Sequence, residues 1–119
     1  MAKKILFVYD DEDEILEELA LELNLQYDIM EAHDVKTAIK LLKEIRILTL
    51  VIADYSPPKY LASSVLEALK ADSVIIDIPF IAVSYILEQK DRLIKAGADT
   101  FYWRIDNRKN LFDKIRQFI

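Results

Sequence analysis

The sequence contains no cysteine. That excludes a disulfide framework, a thiolate metal site and a cysteine nucleophile, and it fits a reducing compartment. Glycine is almost missing as well: Gly97 stands alone, although an α/β domain usually spends several glycines on its turns. The one histidine, His33, has no companion ligand at useful spacing and reads as a surface loop residue. Long apolar runs are absent. Met1-Ala2-Lys3-Lys4 is followed by Ile5-Leu6-Phe7-Val8-Tyr9 and then at once by acids, which is too short for a signal peptide or a membrane span. Positive charge is not in excess either. A net charge of −5 argues against nucleic acid or an anionic membrane as partner. The expectation is a soluble cytoplasmic domain with no direct nucleic-acid contact and no membrane insertion.

What is present is a regular alternation. At 119 residues the chain has the length of one domain and buries roughly two-thirds of its unfolded surface without a staple. Apolar runs of strand length fall at Ile5–Tyr9, Tyr27–Glu31, Leu48–Ala53, Phe80–Ser84 and Thr100–Arg104. The third and fourth are nearly all apolar, as in strands covered on both faces. Between the runs, apolar residues recur at helical spacing. Ile15, Leu16, Leu19, Ala20 and Leu23 share one face, and Val35, Ala38, Ile39, Leu42 and Ile45 a second. Leu61, Val65, Ala68 and Leu69 mark a third helix; Ile86, Leu87, Leu93 and Ile94 a fourth, stopped at Gly97; Leu111, Phe112, Ile115, Phe118 and Ile119 a fifth. Asp34 is placed to cap the second. The βαβαβαβαβα order predicts a doubly wound five-stranded parallel sheet of order 2-1-3-4-5, a (βα)5 flavodoxin-like three-layer sandwich over residues 1–119. Ligands of such sheets bind beyond the carboxyl ends of the strands.

Those ends carry the chemistry. The first strand ends in Asp10 and Asp11, the third in Asp54, the fourth in Ser84 and the fifth in Arg104. Strands 1, 3, 4 and 5 are neighbours in this order, so one crevice receives three carboxylates, a hydroxyl and a permanent cation. Crowded carboxylates repel unless a cation intervenes. Mg²⁺ suits a few carboxylates plus water and phosphate oxygens. A carboxylate can also act as the nucleophile and form an aspartyl-phosphate, with the hydroxyl and the cation binding the new oxygens.

Four segments together resemble the receiver domain of two-component response regulators (CheY-like). They are Ile5–Glu12, Leu50–Pro58, Ile78–Ser84 and Ala96–Arg104; each alone is weak, but their order and spacing are specific, and the likeness spans essentially the whole chain. The resemblance implies a phosphorylation-controlled signalling switch with Asp54 as phosphoacceptor. It implies Mg²⁺ (or Mn²⁺) held by Asp10, Asp11, Asp54 and the carbonyl of Ser56. Ser84 falls at the hydroxyl position that follows the phosphoryl group, Phe101 at the aromatic switch that packs inward, and Arg104 at the position of the family's lysine. The implied partners are a histidine kinase or phosphotransfer protein and a downstream protein, with a homodimer through the fourth helix–fifth strand–fifth helix face. No output domain follows Ile119 in this sequence, so the module is expected to act through protein contact or to be a piece of a longer regulator. The only catalysis implied is on the chain itself, in gaining and losing the phosphoryl group.

The sequence departs from the family at several positions. Arg104 replaces a slim lysine with a forked, always-charged group. Ile105 replaces a proline. Tyr85 follows Ser84 where a small residue leaves the phosphoryl path open, so it is a candidate modulator of access. The loop Tyr55-Ser56-Pro57-Pro58 lacks a glycine, and Val35 stands where a glycine is common. These departures define the alternative, a pseudo-receiver that binds partners without phosphate. Two enzyme readings fit less well. A flavin phosphate loop would be Ser/Thr/Gly-rich rather than acidic, and a haloacid-dehalogenase-type phosphatase would place an aspartate where Ser56 stands. Tyr102 and Trp103 are adjacent on an edge strand, so one of them faces outward.

Overall fold

The structure, a computed structural model, describes residues 3–45 and 47–119. Met1, Ala2 and Arg46, within the expected 1–119 span, lie outside the described residues. The elements alternate as β1 (Lys4–Val8), α1 (Glu14–Leu23), β2 (Asp28–Ala32), α2 (Val35–Glu44), β3 (Leu48–Asp54), α3 (Leu61–Lys70), β4 (Phe80–Ser84), α4 (Lys90–Lys95), β5 (Thr100–Trp103) and α5 (Arg108–Phe118). The sheet runs β2-β1-β3-β4-β5 with every pairing parallel, so the α/β doubly wound architecture is as expected. Among the described residues, no helix is long and apolar enough to cross a membrane.

The continuous apolar runs make sense once the two faces are separated. Along β1 and β3, Leu6, Val8, Val51 and Ala53 point to one core, which α2 and α3 close with Ala38, Leu42, Leu61, Ala62, Val65, Leu66 and Leu69. Ile5, Phe7, Tyr9, Leu50 and Ile52 point to the other, closed by Leu16, Leu19, Ala20 and Leu23 of α1 and by Leu111, Phe112 and Ile115 of α5. Each fully buried Leu, Ile or Phe contributes roughly 1.5–3 kcal/mol. A strand that feeds two cores has no polar face to show, which is why alternation is missing from the sequence. A register shift between Lys4 and Ile5 leaves Thr49 unpaired on β3, and its hydroxyl donates to the carbonyl of Lys4 at 2.7 Å.

Several local expectations need correcting. Ile15 is expected on the core face of the first helix but is 60% exposed, because it lies at the edge of the face formed by Leu16, Leu19, Ala20 and Leu23, which are buried. The expected single helix from Ile86 to Ile94 is a 3₁₀ turn, Leu87–Gln89, followed by α4, and Leu93 is its only buried residue. Gly97 does stop it, at φ +118°. His33 is half-buried: its Nδ1 pairs with the carbonyl of Tyr9 at 2.9 Å, and its ring meets the Tyr9 ring edge-on at 4.7 Å. Of the aromatic pair on β5, Tyr102 is buried and donates to the carbonyl of Asp106 at 2.7 Å. Trp103 is the outer one, and its Nε1 donates to the carbonyl of Tyr85 at 3.1 Å. The glycine-poor loop after β3 takes its positive φ at Tyr60, at 48°, a conformation that costs a residue with a Cβ about 1–2 kcal/mol.

Candidate functional site

The carboxyl ends of β1, β3 and β5 open into a cavity of about 660 Å³ whose wall includes Asp10, Asp13, Asp54, Ser56, Tyr85 and Arg104. Asp54 is the last residue of β3 and is only 4% exposed. Among the described residues, its Oδ1 has no hydrogen-bond partner. Burial pushes its carboxyl up to about 6, although the Arg104 guanidinium and the Ser56 hydroxyl pull the other way. A carboxylate with that value is mostly ionised at neutral pH, and burial leaves it poorly hydrated.

Arg104 leaves the end of β5 with its amide still donating to the carbonyl of Ser84 at 2.9 Å. Its guanidinium turns into the cavity. Nη2 lies 2.9 Å from Asp13 Oδ2 and 3.0 Å from Asp13 Oδ1. Nη1 lies 3.6 Å from Asp54 Oδ1, close enough for an ion pair but too long for a hydrogen bond, and donates to Ser56 Oγ at 3.3 Å. Tyr85 is 46% exposed, and its ring covers the guanidinium with 5.5 Å between centroid and Cζ. The side chain of Arg104 is therefore only 9% exposed.

The acidic strand end folds into a tight turn. The carbonyl of Asp10 accepts the amide of Asp13 at 2.9 Å, and Asp10 Oδ1 accepts the amide of Glu12 at 3.1 Å. Asp10 and Asp13 stand in the cavity wall, and Asp11 is exposed with its carboxyl beside that of Asp10. Of the expected trio, Asp10 and Asp54 line the cavity and Asp11 adjoins it through Asp10. Among the described residues, no three carboxylate or imidazole groups converge closely enough to cage a metal ion by themselves. The amide of Glu12 chiefly, with Lys59 beside it, holds the Asp10 carboxyl below its ordinary range; Lys59 Nζ is 3.4 Å away.

Two other expected residues stand behind the cavity rather than in its wall. Ser84 is fully buried, donates to the carbonyl of Tyr55 at 2.6 Å and accepts the amide of Ile86 at 3.0 Å. Phe101 is packed inward, in the core cluster that also holds Leu93 and Ala98. The carbonyl of Ser56, expected to reach a metal, accepts the amide of Tyr60 at 2.9 Å.

Asp13 and Lys59 were not anticipated as site residues. Asp13 had a readable signal, since its carboxylate caps α1 by accepting the amide of Leu16 at 3.1 Å, and the start of α1 faces the same end of the sheet as Asp54. The link from Asp54 to α4 was likewise not foreseen: Arg92 donates to the hydroxyl of Tyr55 and stacks over its ring at 5.5 Å.

No family model and no curated protein sequence matches the chain. Solved structures do. The receiver domain of a sensor histidine kinase from Pseudomonas aeruginosa, which carries a magnesium ion in its active-site cleft, is 21% identical, with a TM-score of 0.81 over 99% of this chain and 98% of its own. The chemotaxis response regulator CheY4 of Vibrio cholerae is 17% identical, with a TM-score of 0.81 over 100% of both chains. A Francisella response regulator receiver domain is 20% identical, with a TM-score of 0.81 over 98% of this chain and 95% of its own. At such identities the likeness is one of fold, and the chain has the fold of response regulator receiver domains.

Proposed function

We propose that the chain is a phosphorylation-controlled signalling switch with Asp54 as its acceptor. The observation that carries this reading is the buried, unpartnered Oδ1 of Asp54, mostly ionised at neutral pH and facing a fixed guanidinium. Such an oxygen is a nucleophile next to a ready counter-charge. The donor is the phosphohistidine of a histidine kinase or phosphotransfer protein. An Asp54 oxygen attacks phosphorus, an O–P bond forms, the P–N bond breaks, and the leaving imidazole keeps the electron pair and takes up a proton. Arg104, whose fork matches phosphoryl oxygens, neutralises the charge gained. Ser84 exchanges the carbonyl of Tyr55 for a phosphoryl oxygen, and Tyr55, tied to Arg92, passes the change to α4 and a downstream protein.

The cavity suits Mg²⁺ in its sparing mode of one or two carboxylates completed by water and phosphate. Asp10 and the free oxygen of Asp54 would be the hard donors for it, with Asp11 beside Asp10. The ion supplies charge screening between the acids and the incoming phosphoryl group.

The test is incubation with MgCl₂ and acetyl phosphate or phosphoramidate, followed by intact-mass measurement beside an Asp54→Asn control. A phosphoryl increment absent from the control is the expected result; no increment with either donor overturns the reading. That second outcome would favour a phosphate-independent interaction module, for which the clamp of Arg104 on Asp13 is the supporting observation.

A further inference from the structure

Three of the five carboxylates in the cavity wall, the other two being Glu12 and Glu14, already have a cation of the chain's own. Asp10 has Lys59, and Asp13 and Asp54 share Arg104. The two cations differ in kind. Lys59 is largely exposed, and an exposed ion pair yields easily to solvent and salt. Arg104 is buried, cannot lose its proton, reaches Asp13 through both carboxylate oxygens and is covered by Tyr85. The cover is itself held, because Trp103 Nε1 donates to the carbonyl of Tyr85.

We propose that Arg104 is the resident cation of this site and competes with a divalent ion for it. The inference takes the cavity as a divalent-cation site, as in the reading above, but needs no phosphoryl transfer. A dication entering beside Asp54 meets a fixed positive charge at 3.6 Å from the same oxygen. Either it binds against that repulsion or Arg104 must leave Asp13 and push past Tyr85. Both lower the affinity of the wild-type protein. The same arrangement sets two cations against Asp10, Asp13 and Asp54 with no metal needed, which relieves part of the mutual repulsion of those three carboxylates. Tyr85 acts in this as a positioning residue, since its ring touches the guanidinium and not the acids.

The experiment is titration of the full chain with MgCl₂, read by calorimetry and by the fluorescence of Trp103, for wild type, Arg104→Gln and Tyr85→Ala. The change in melting temperature between EDTA and 10 mM MgCl₂ is a second readout, because a ligand of the native state raises it in proportion to occupancy. Arg104→Gln is expected to bind Mg²⁺ at least tenfold more tightly than wild type and to show the larger magnesium-dependent rise. Tyr85→Ala, at an exposed position, is expected to bind several-fold more tightly by giving Arg104 a way out. If Arg104→Gln folds only with magnesium, that rescue supports the proposal; if it folds in neither condition, Tyr85→Ala decides alone. Equal affinities across the folded variants overturn it. A failure to phosphorylate Asp54 leaves this comparison untouched, so the two readings fail separately.

Discussion

Ser84 and Tyr55 are joined by a 2.6 Å hydrogen bond from hydroxyl to backbone carbonyl, in a place fully closed to water. The same hydroxyl accepts the amide of Ile86. Replacing Ser84 by alanine strands both partners, and an unmet buried polar group costs about 1–3 kcal/mol. Ser84→Ala is expected to lose stability in that range in urea denaturation. A loss below about 0.5 kcal/mol would mean that the two backbone groups find other partners.

Asp54 predicts a pH dependence. Burial raises its folded value from 3.8 to about 6, so between those limits the folded state holds a proton that the unfolded state has lost. Stability is therefore highest in this respect below pH 4, falls as pH rises through the window, and carries the full penalty above 6, roughly 3 kcal/mol. In EDTA, Asp54→Asn is expected to flatten this part of the profile and to be the more stable protein at pH 7.5. Parallel profiles for the two proteins between pH 4 and 7 would show that Asp54 is not desolvated.

Asp13 has two duties that substitution can separate. Asparagine still caps α1, because it caps as well as aspartate, but cannot pair with Arg104. Alanine does neither. Asp13→Ala is expected to lie about 1 kcal/mol below Asp13→Asn in chemical denaturation, the usual worth of a cap. Asp13→Asn should itself fall below wild type by an amount that 1 M NaCl hardly changes, since a buried pair is screened little.

Gly97 makes a local prediction. Its φ of +118° is one that side chains rarely adopt, and an added Cβ would lie 2.7 Å from Lys70 Cε. The lysine tip can move aside, so the backbone sets most of the cost. Gly97→Ala is expected to lose about 1–3 kcal/mol in urea denaturation with little change in the Asp54 site. An unchanged melting curve would place the strain elsewhere.

The sheet was legible because β1, β3 and β4 are apolar on both faces, and only a doubly covered parallel sheet absorbs such strands. Asp54 and Arg104 were legible as strand-end residues for the same reason. The clamp between Arg104 and Asp13 was not. Those residues are separated by 91 positions, and whether a guanidinium reaches a carboxylate depends on rotamers and burial that no spacing encodes. Asp11 illustrates the converse. Two adjacent acids look equivalent in a sequence, but Asp10 lines the cavity and accepts the amide of Glu12, while Asp11 stays exposed beside it. Ile15 was misplaced because helical periodicity says which residues share a face and not how wide a stripe of that face the sheet covers; Leu16 beside it is buried.

The six residues of α4 bury only Leu93, while the helix is moored to the acceptor loop by the side chain of Arg92 on Tyr55. A helix with one apolar anchor opens at a small fraction of the global unfolding free energy. Its amides will exchange with deuterium well before those of α3, which buries Leu61, Ala62, Val65, Leu66 and Leu69. The residue next to Asp54 thus holds a lightly anchored helix, and removing the hydroxyl half of that mooring with Tyr55→Phe would let α4 breathe while both cores stay shut.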